Sequence, residues 1–196
     1  MKAYFDKLKG ASLPPPKAGW KEIIWAIVGS CVAMLLISLL HVRFRGATGL
    51  PLVIAPFGAS AVLVFGAFRS PLAQPRNAIG GHVVSALVGV TVYQLYGQLL
   101  QLHQLAPLHQ LLGGSYEEAI NIALAVSLAI GLMHVTGTLH PPGGATAFVA
   151  IAGGESIHNL GYWYVLSPCL AGSILMVLIA LVVNNIPARQ HYPLFW

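Results

Sequence analysis

Charge is what this sequence has least of. Acidic and basic residues together make up 8% of 196 positions, against about 25% in a soluble domain. So little charge cannot clothe a water-facing surface. Of five carboxylates, Asp6 and Glu22 precede the first apolar run and Glu117 and Glu118 open a later one. Only Glu155 stands beside an interrupted segment, where it could serve a proton relay or merely occupy a loop. Paired-carboxylate and Ser/His/Asp chemistry therefore lack material, and no enzyme is expected. The two cysteines, Cys31 and Cys169, lie inside apolar stretches with no CxxC and no histidine at ligand spacing, which reads as packed thiols. No histidine pair has the spacing of a metal site, so no metal and no cofactor is expected. The first apolar run is too long and too late for a secretory leader, and no Arg- and Ser-rich import signal precedes it. A bacterial plasma (inner) membrane is the expected location.

What is abundant is apolar: 57% of residues, with a mean hydropathy of +0.76. Runs of about 18 or more apolar residues occupy 23–40, 78–100, 119–135 and 162–183, each long enough to cross a bilayer. The expected class is an all-α polytopic membrane protein. Two further apolar segments are broken. Residues 50–68 carry Pro51, Pro56 and Gly58 in their first half, and predict an extended entry followed by a half-helix over 57–68. Residues 139–154 carry His140-Pro-Pro-Gly-Gly144 and end at Gly153-Gly154. Helix one is expected to stop at Leu40, before His41, Arg43 and Arg45. Residues 101–118 predict a leucine-bearing segment on the membrane surface, with Ser115-Tyr-Glu-Glu118 as a capping box opening the fourth helix.

The broken segments match each other. Pro56-Phe-Gly-Ala-Ser-Ala aligns without gaps on Pro142-Gly-Gly-Ala-Thr-Ala, a shared P-x-G-A-[ST]-A. Each copy follows a Thr-Gly pair and lies between two full helices. The chain thus divides into a basic arm (1–22), a first repeat (23–100), an interfacial linker (101–118), a second repeat (119–185) and a tail (186–196). Three crossings per repeat would invert the second relative to the first. Six crossings place both termini on one side with eight of the ten basic residues, leaving Arg43 and Arg45 opposite. By the positive-inside rule the termini are cytoplasmic. A five-crossing course, with the second break re-entrant, stays open. The net charge of +5 reads as membrane orientation, and no nucleic-acid partner is expected.

Inverted half-helices would bring their N-termini together inside the bilayer, where irregular backbone is tolerated only when buried in protein or lining a wet cavity. Helix starts offer amide donors and the positive end of a dipole, a setting for a small anion. The candidate binding residues are Phe57, Gly58, Ala59 and Ser60 in one copy, with His140, Pro142, Gly143, Gly144, Ala145 and Thr146 in the other. In this scheme the glycines let a ligand approach the backbone, and Ser60 and Thr146 add hydroxyls. His140 is either a proton-sensitive gate or anion partner, or a brace on a loop carbonyl. His82 stands near the same cavity or at the interface. Arg76 and Asn77 open the third helix, where Arg76 either steers anions or enforces topology. His134 reads as structural, and His103 and His109 as surface residues.

Three stretches, PFGASAVLVFGA (56–67), SPLAQPRNAIGGH (70–82) and LHPPGGATA (139–147), resemble the HPP family of integral membrane proteins, named for the motif present as His140-Pro141-Pro142. The resemblance covers about residues 20–184. It implies nitrite transport, the role associated with cyanobacterial and chloroplast members, and nitrite suits a small monovalent-anion site. Two other functions compete: a channel for a small neutral solute, and a membrane subunit or sensor with no transport of its own, docking through the basic arm. The expected partners are the lipid bilayer, a small inorganic anion and, since 196 residues offer little mass around a central site, a second copy in a homo-oligomer, as a dimer.

Overall fold

The computed structural model describes residues 17–100, 106–187 and 190–196. Every regular element among them is helical. In chain order these are α1 (Trp20–Thr48), α2 (Pro56–Ala61) continued by a π-helical turn (Val62–Gly66), a 3-10 turn (Pro71–Ala73), α3 (Pro75–Leu100), α4 (Ala106–Thr136), α5 (Pro141–Ala152), α6 (Glu155–His158), a second π-helical turn (Val165–Leu170) and α7 (Ala171–Val183). Four stretches are long and apolar enough to cross a membrane: Trp20–Gly46, Pro75–Leu99, Tyr116–Thr136 and Val165–Val183. The chain is thus a multi-pass membrane protein. Its outward faces carry large exposed apolar side chains, among them Leu35, Leu39 and Val42 on α1, Leu124, Leu128 and Leu132 on α4, and Leu178 and Val182 on α7. In a bilayer these meet lipid.

Three boundaries differ from the sequence expectation. α1 passes through His41, Arg43 and Arg45 and stops at Gly49, whose φ of 70° and N–H bond to the Arg45 carbonyl (2.8 Å) close the helix. Charged side chains do not break a helix, whereas a left-handed glycine ends one. α4 is already helical at Ala106 and runs through Ser115, so Ser115 is interior and does not cap a new helix. Serine and glutamate each cost an established helix only a few tenths of a kcal/mol. Of the expected surface segment 101–118, residues 101–105 lie outside the described residues. Third, the run 162–183 is not one helix. Ser167 is extended (φ −139°, ψ 119°) ahead of Pro168, because a proline ring bars the preceding residue from the helical region. The Ser167 hydroxyl donates to the Pro51 carbonyl at 2.6 Å.

Side-chain contacts show which ends meet. Arg69 lies 3.8 Å from the Glu22 carboxylate, Arg76 donates to the Thr136 carbonyl at 2.8 Å, and Asn184 donates to the Val64 carbonyl at 2.8 Å. The starts of α1 and α3 therefore share one end of the bundle with the ends of the first π turn, α4 and α7. At the opposite end the Tyr93 ring stacks on His158, centroids 4.0 Å apart. Inside, one apolar core joins α1, α2, α3 and α7 through Ile37, Phe57, Val64, Ala86 and Met176. A smaller one joins α3, α4 and α5 through Val88, Ala125, Ala129, Ala147 and Ile151. α3 and α5 approach closely because glycine lies between them. A Cβ on Gly143 would sit 2.7 Å from Ser85 Oγ and 2.9 Å from the Gly81 carbonyl, and one on Gly81 would collide with His140 Cβ.

Candidate functional site

The cores meet at a polar cluster. Ser60 (α2), His82 (α3), His140 (the residue before α5) and Thr146 (α5) are all buried, with His140 and Thr146 at 0% exposure. Ser60 Oγ lies 2.7 Å from His82 Nε2 and 2.9 Å from His140 Nε2. Thr146 Oγ1 lies 2.7 Å from His82 Nδ1 and 3.3 Å from the Pro142 carbonyl it can donate to. His140 Nδ1 ends 2.8 Å from the Leu72 carbonyl. The hydroxyls at the [ST] position of both P-x-G-A-[ST]-A copies thus converge on one ring. The Phe57 ring stands edge-on to His82, centroids 5.1 Å apart.

Local sequence explains the placement. Pro56 at the first turn of α2 starts a helix within the apolar interior, and Ser60 follows one turn later on its buried face. Pro141 and Pro142 do the same for α5 and leave His140 extended (φ −141°, ψ 105°), as a residue before proline must be. Its side chain then turns back toward α3 and the Pro71–Ala73 turn. On α3, Gly80 and Gly81 leave room for residues 138–140 to lie across the helix directly before His82.

The expected site residues divide. Phe57, Ser60, His82, His140, Pro142, Gly143 and Thr146 are buried at or beside the cluster. Gly58, Ala59 and Ala145 face outward. Gly58 lines an open groove of about 920 Å³ between α1 and α2, and Gly144 is half-buried, with Val126 the nearest side chain a Cβ there would meet. Arg76 is exposed and its guanidinium closes the end of α4 at Thr136, while buried Asn77 donates to the Leu139 carbonyl at 2.9 Å. The helix-start amides are partly spoken for. The N–H groups of Phe57, Gly58 and Gly143 donate to Ile54, Ala55 and His140 carbonyls at 3.0, 3.1 and 2.8 Å, and the two prolines of α5 have none to give. The polar atoms gathered at the cluster are therefore hydroxyls and imidazoles.

Two contributors are invisible in the sequence reading. The Leu72 carbonyl comes from a turn whose fold depends on α3. Tyr164, fully buried, donates its hydroxyl to the Thr146 carbonyl at 3.1 Å. A tyrosine inside an apolar run, which needs a partner for its hydroxyl, was the available signal. His134 ends α4, and Glu155 begins α6, exposed. No group of three or more metal-ligating side chains occurs among the described residues. A second cleft of about 660 Å³, lined by Tyr93, Tyr96, Glu117 and Asn121, opens at the far end. Neither it nor the α1–α2 groove includes the cluster, which is packed shut.

Comparison with known proteins agrees with this architecture. The family model described as the HPP transmembrane region matches residues 15–193. Two transmembrane proteins of Dictyostelium discoideum are each 40% identical over 98% of this chain. The chain spans 57% and 63% of their respective lengths. No solved structure matches it. With the matched region running from the arm before α1 to the tail after α7, the chain belongs to the HPP family of transmembrane proteins.

Proposed function

We propose that the protein carries a small monovalent anion, nitrite being the first candidate, across the membrane through the Ser60–His82–His140–Thr146 cluster. The observation that carries this reading is the cluster itself: four polar side chains with no carboxylate among them, joined by hydrogen bonds and buried between two helix starts. Polar groups at such depth cost free energy unless satisfied, and intramembrane ionisable residues mark transport pathways more often than braces. Both helix starts direct the positive ends of their dipoles inward. An entering anion would take its hydrogen bonds from the Ser60 and Thr146 hydroxyls and the imidazole N–H groups, replacing bonds these now make to one another. That exchange favours binding tight enough to enter and weak enough to leave.

The inverted repeat belongs to this reading, supported by the equivalent hydroxyls of its two copies meeting on His82. So does the orientation, with the 69–77 loop and the start of α1 cytoplasmic, since Arg69, Arg76, Lys17 and Lys21 gather there and Arg43 and Arg45 lie opposite. A bacterial plasma membrane and a homodimer complete the proposal. Purified protein in liposomes should take up nitrite, and other small monovalent anions should compete. Uptake of small neutral solutes that anions leave unaffected would replace this reading with a neutral-solute channel.

A further inference from the structure

The donors and acceptors of the cluster can be counted. A carbonyl only accepts, so Nδ1 of His140 carries a hydrogen toward Leu72. In the neutral ring Nε2 is then an acceptor, and the Ser60 hydroxyl must donate to it. Serine has no second hydrogen, so Nε2–H of His82 donates to Ser60 Oγ. Nδ1 of His82 is left as an acceptor, and the Thr146 hydroxyl fills it. With both rings neutral, this is the single arrangement that uses all four contacts of the two rings.

One added proton also fits. The Thr146 hydroxyl has a second acceptor, the Pro142 carbonyl at 3.3 Å. When it turns there, Nδ1 of His82 can carry a hydrogen and donate to Thr146 Oγ1, and no partner is lost. The added charge can then cross Ser60: Nε2–H of His82 gives its proton to Oγ as Oγ–H gives its own to Nε2 of His140. A second added proton does not fit. Two imidazolium N–H groups would converge on Ser60, whose own hydrogen would have no acceptor, with ring centroids only 5.1 Å apart.

The surroundings leave the charge uncompensated. α2 presents Phe57 to His82. α3 adds Ser85, Asn77 and Arg76, the last directed to Thr136, and α4 adds Met133 behind Ser85. The segment before α7 adds Tyr164 and Cys169, the first bound to Thr146 O. Among the described residues no carboxylate takes part in the cluster's hydrogen bonds: Glu22, Glu117, Glu118 and Glu155 lie on α1, α4 and α6. Among the described residues an imidazolium here meets no fixed counter-ion in its hydrogen bonds, and an anion in the same place no fixed cation. Each ligand supplies what the other needs, and by linkage each strengthens the other's binding.

We propose that the cluster is a one-proton site and that one proton crosses with each anion, an inference that rests on the transport reading above. Two measurements test it. In protein labelled with ¹⁵N-histidine and held in lipid bilayers, acidification should abolish the acceptor-type nitrogen signal of His82 Nδ1. The two rings together should gain one proton, and nitrite should raise the pH at which this happens; His82→Gln and His140→Gln assign the signals. Gain of two protons, or an acceptor-type His82 Nδ1 persisting until the protein unfolds, overturns the one-proton site.

In liposomes at mildly alkaline pH, with a pH-sensitive dye inside and empty vesicles as control, nitrite uptake should carry one proton per anion. It should also be indifferent to an imposed membrane potential. Nitrite flux that follows the potential without moving protons overturns the coupling and leaves anion transport standing. Absence of nitrite flux removes the transport reading and the coupling together, while the imidazole signals still decide the one-proton site.

Discussion

Ser60 and Thr146 occupy opposite nitrogens of one imidazole, each 2.7 Å away, Ser60 at Nε2 of His82 and Thr146 at Nδ1. They hold the same position in the two P-x-G-A-[ST]-A stretches, one from α2 and one from α5. A histidine held on both sides cannot rotate or change tautomer without one hydroxyl responding. This is what makes the cluster a unit rather than four separate polar residues.

Replacing Ser60 with alanine leaves the facing nitrogens of His82 and His140 without their shared partner. Orphaning buried polar groups costs about 1–3 kcal/mol each, so with two nitrogens orphaned S60A should lower stability in detergent by about 2–6 kcal/mol. A loss within about 0.5 kcal/mol, the scatter of ordinary surface changes, would show that the two bonds are not made.

The glycines of the two breaks should behave oppositely. Gly81→Ala drives a methyl into His140 and the Thr138 carbonyl, an overpacking that costs about 1–3 kcal/mol or more. Gly58→Ala meets nothing within 4 Å and should stabilise α2 by up to about 1 kcal/mol through helix propensity. Unfolding measurements that ranked G58A as the more damaging would contradict the packing described.

Asn121 is 7% exposed and its Oδ1 has no hydrogen-bond partner among the described residues. An unpartnered buried polar atom already carries its desolvation cost. Asn121→Leu, of similar volume, is therefore expected to leave stability unchanged or raise it by about 1 kcal/mol in thermal unfolding. A drop above 1 kcal/mol would reveal a partner for the amide.

Tyr192 lies in the tail after α7, outside the spans, and donates its hydroxyl to the Ala73 carbonyl at 2.9 Å. Burial pushes its phenol above the ordinary value of 10. The sign follows: below pH 10 both folded and unfolded chains hold the proton. Above it the unfolded chain releases the proton first, and stability falls with rising pH. Tyr192→Phe should flatten that alkaline loss at a cost of about 1 kcal/mol at neutral pH. Identical alkaline profiles for the two proteins would remove Tyr192 as the cause.

The sequence made the two half-helices legible because prolines and glycines act locally. Pro56 and Pro141-Pro142 mark helix starts, and the aligned Ser60 and Thr146 follow from them. The position of His82 was not legible to the same degree. Whether it lies at the interface or at the centre depends on how closely α5 approaches α3, which is decided by Gly81 and Gly143 on different elements. Sequence reading gave the glycines to a ligand, but Gly143 is filled by Ser85 and Gly81, and Gly58 looks into an outer groove. The end of α1 was misplaced because charge was given the role that Gly49 performs. The break at Ser167 was hidden by the uniform hydropathy around Pro168, although the proline itself was a local signal for it.

The central claim is that an anion crosses at this cluster, and nitrite uptake by liposomes carrying Thr146→Val tests it most directly. Valine keeps the shape of threonine and removes the hydroxyl, while α2, α3 and α5 stay packed. A hydrogen bond to a charged ligand contributes about 1.5–3 kcal/mol, and each 1.4 kcal/mol is a factor of ten. The account predicts measurable nitrite uptake by the unaltered protein and a loss of about tenfold or more in folded T146V. Uptake unchanged by the substitution, or none by either protein, would contradict it.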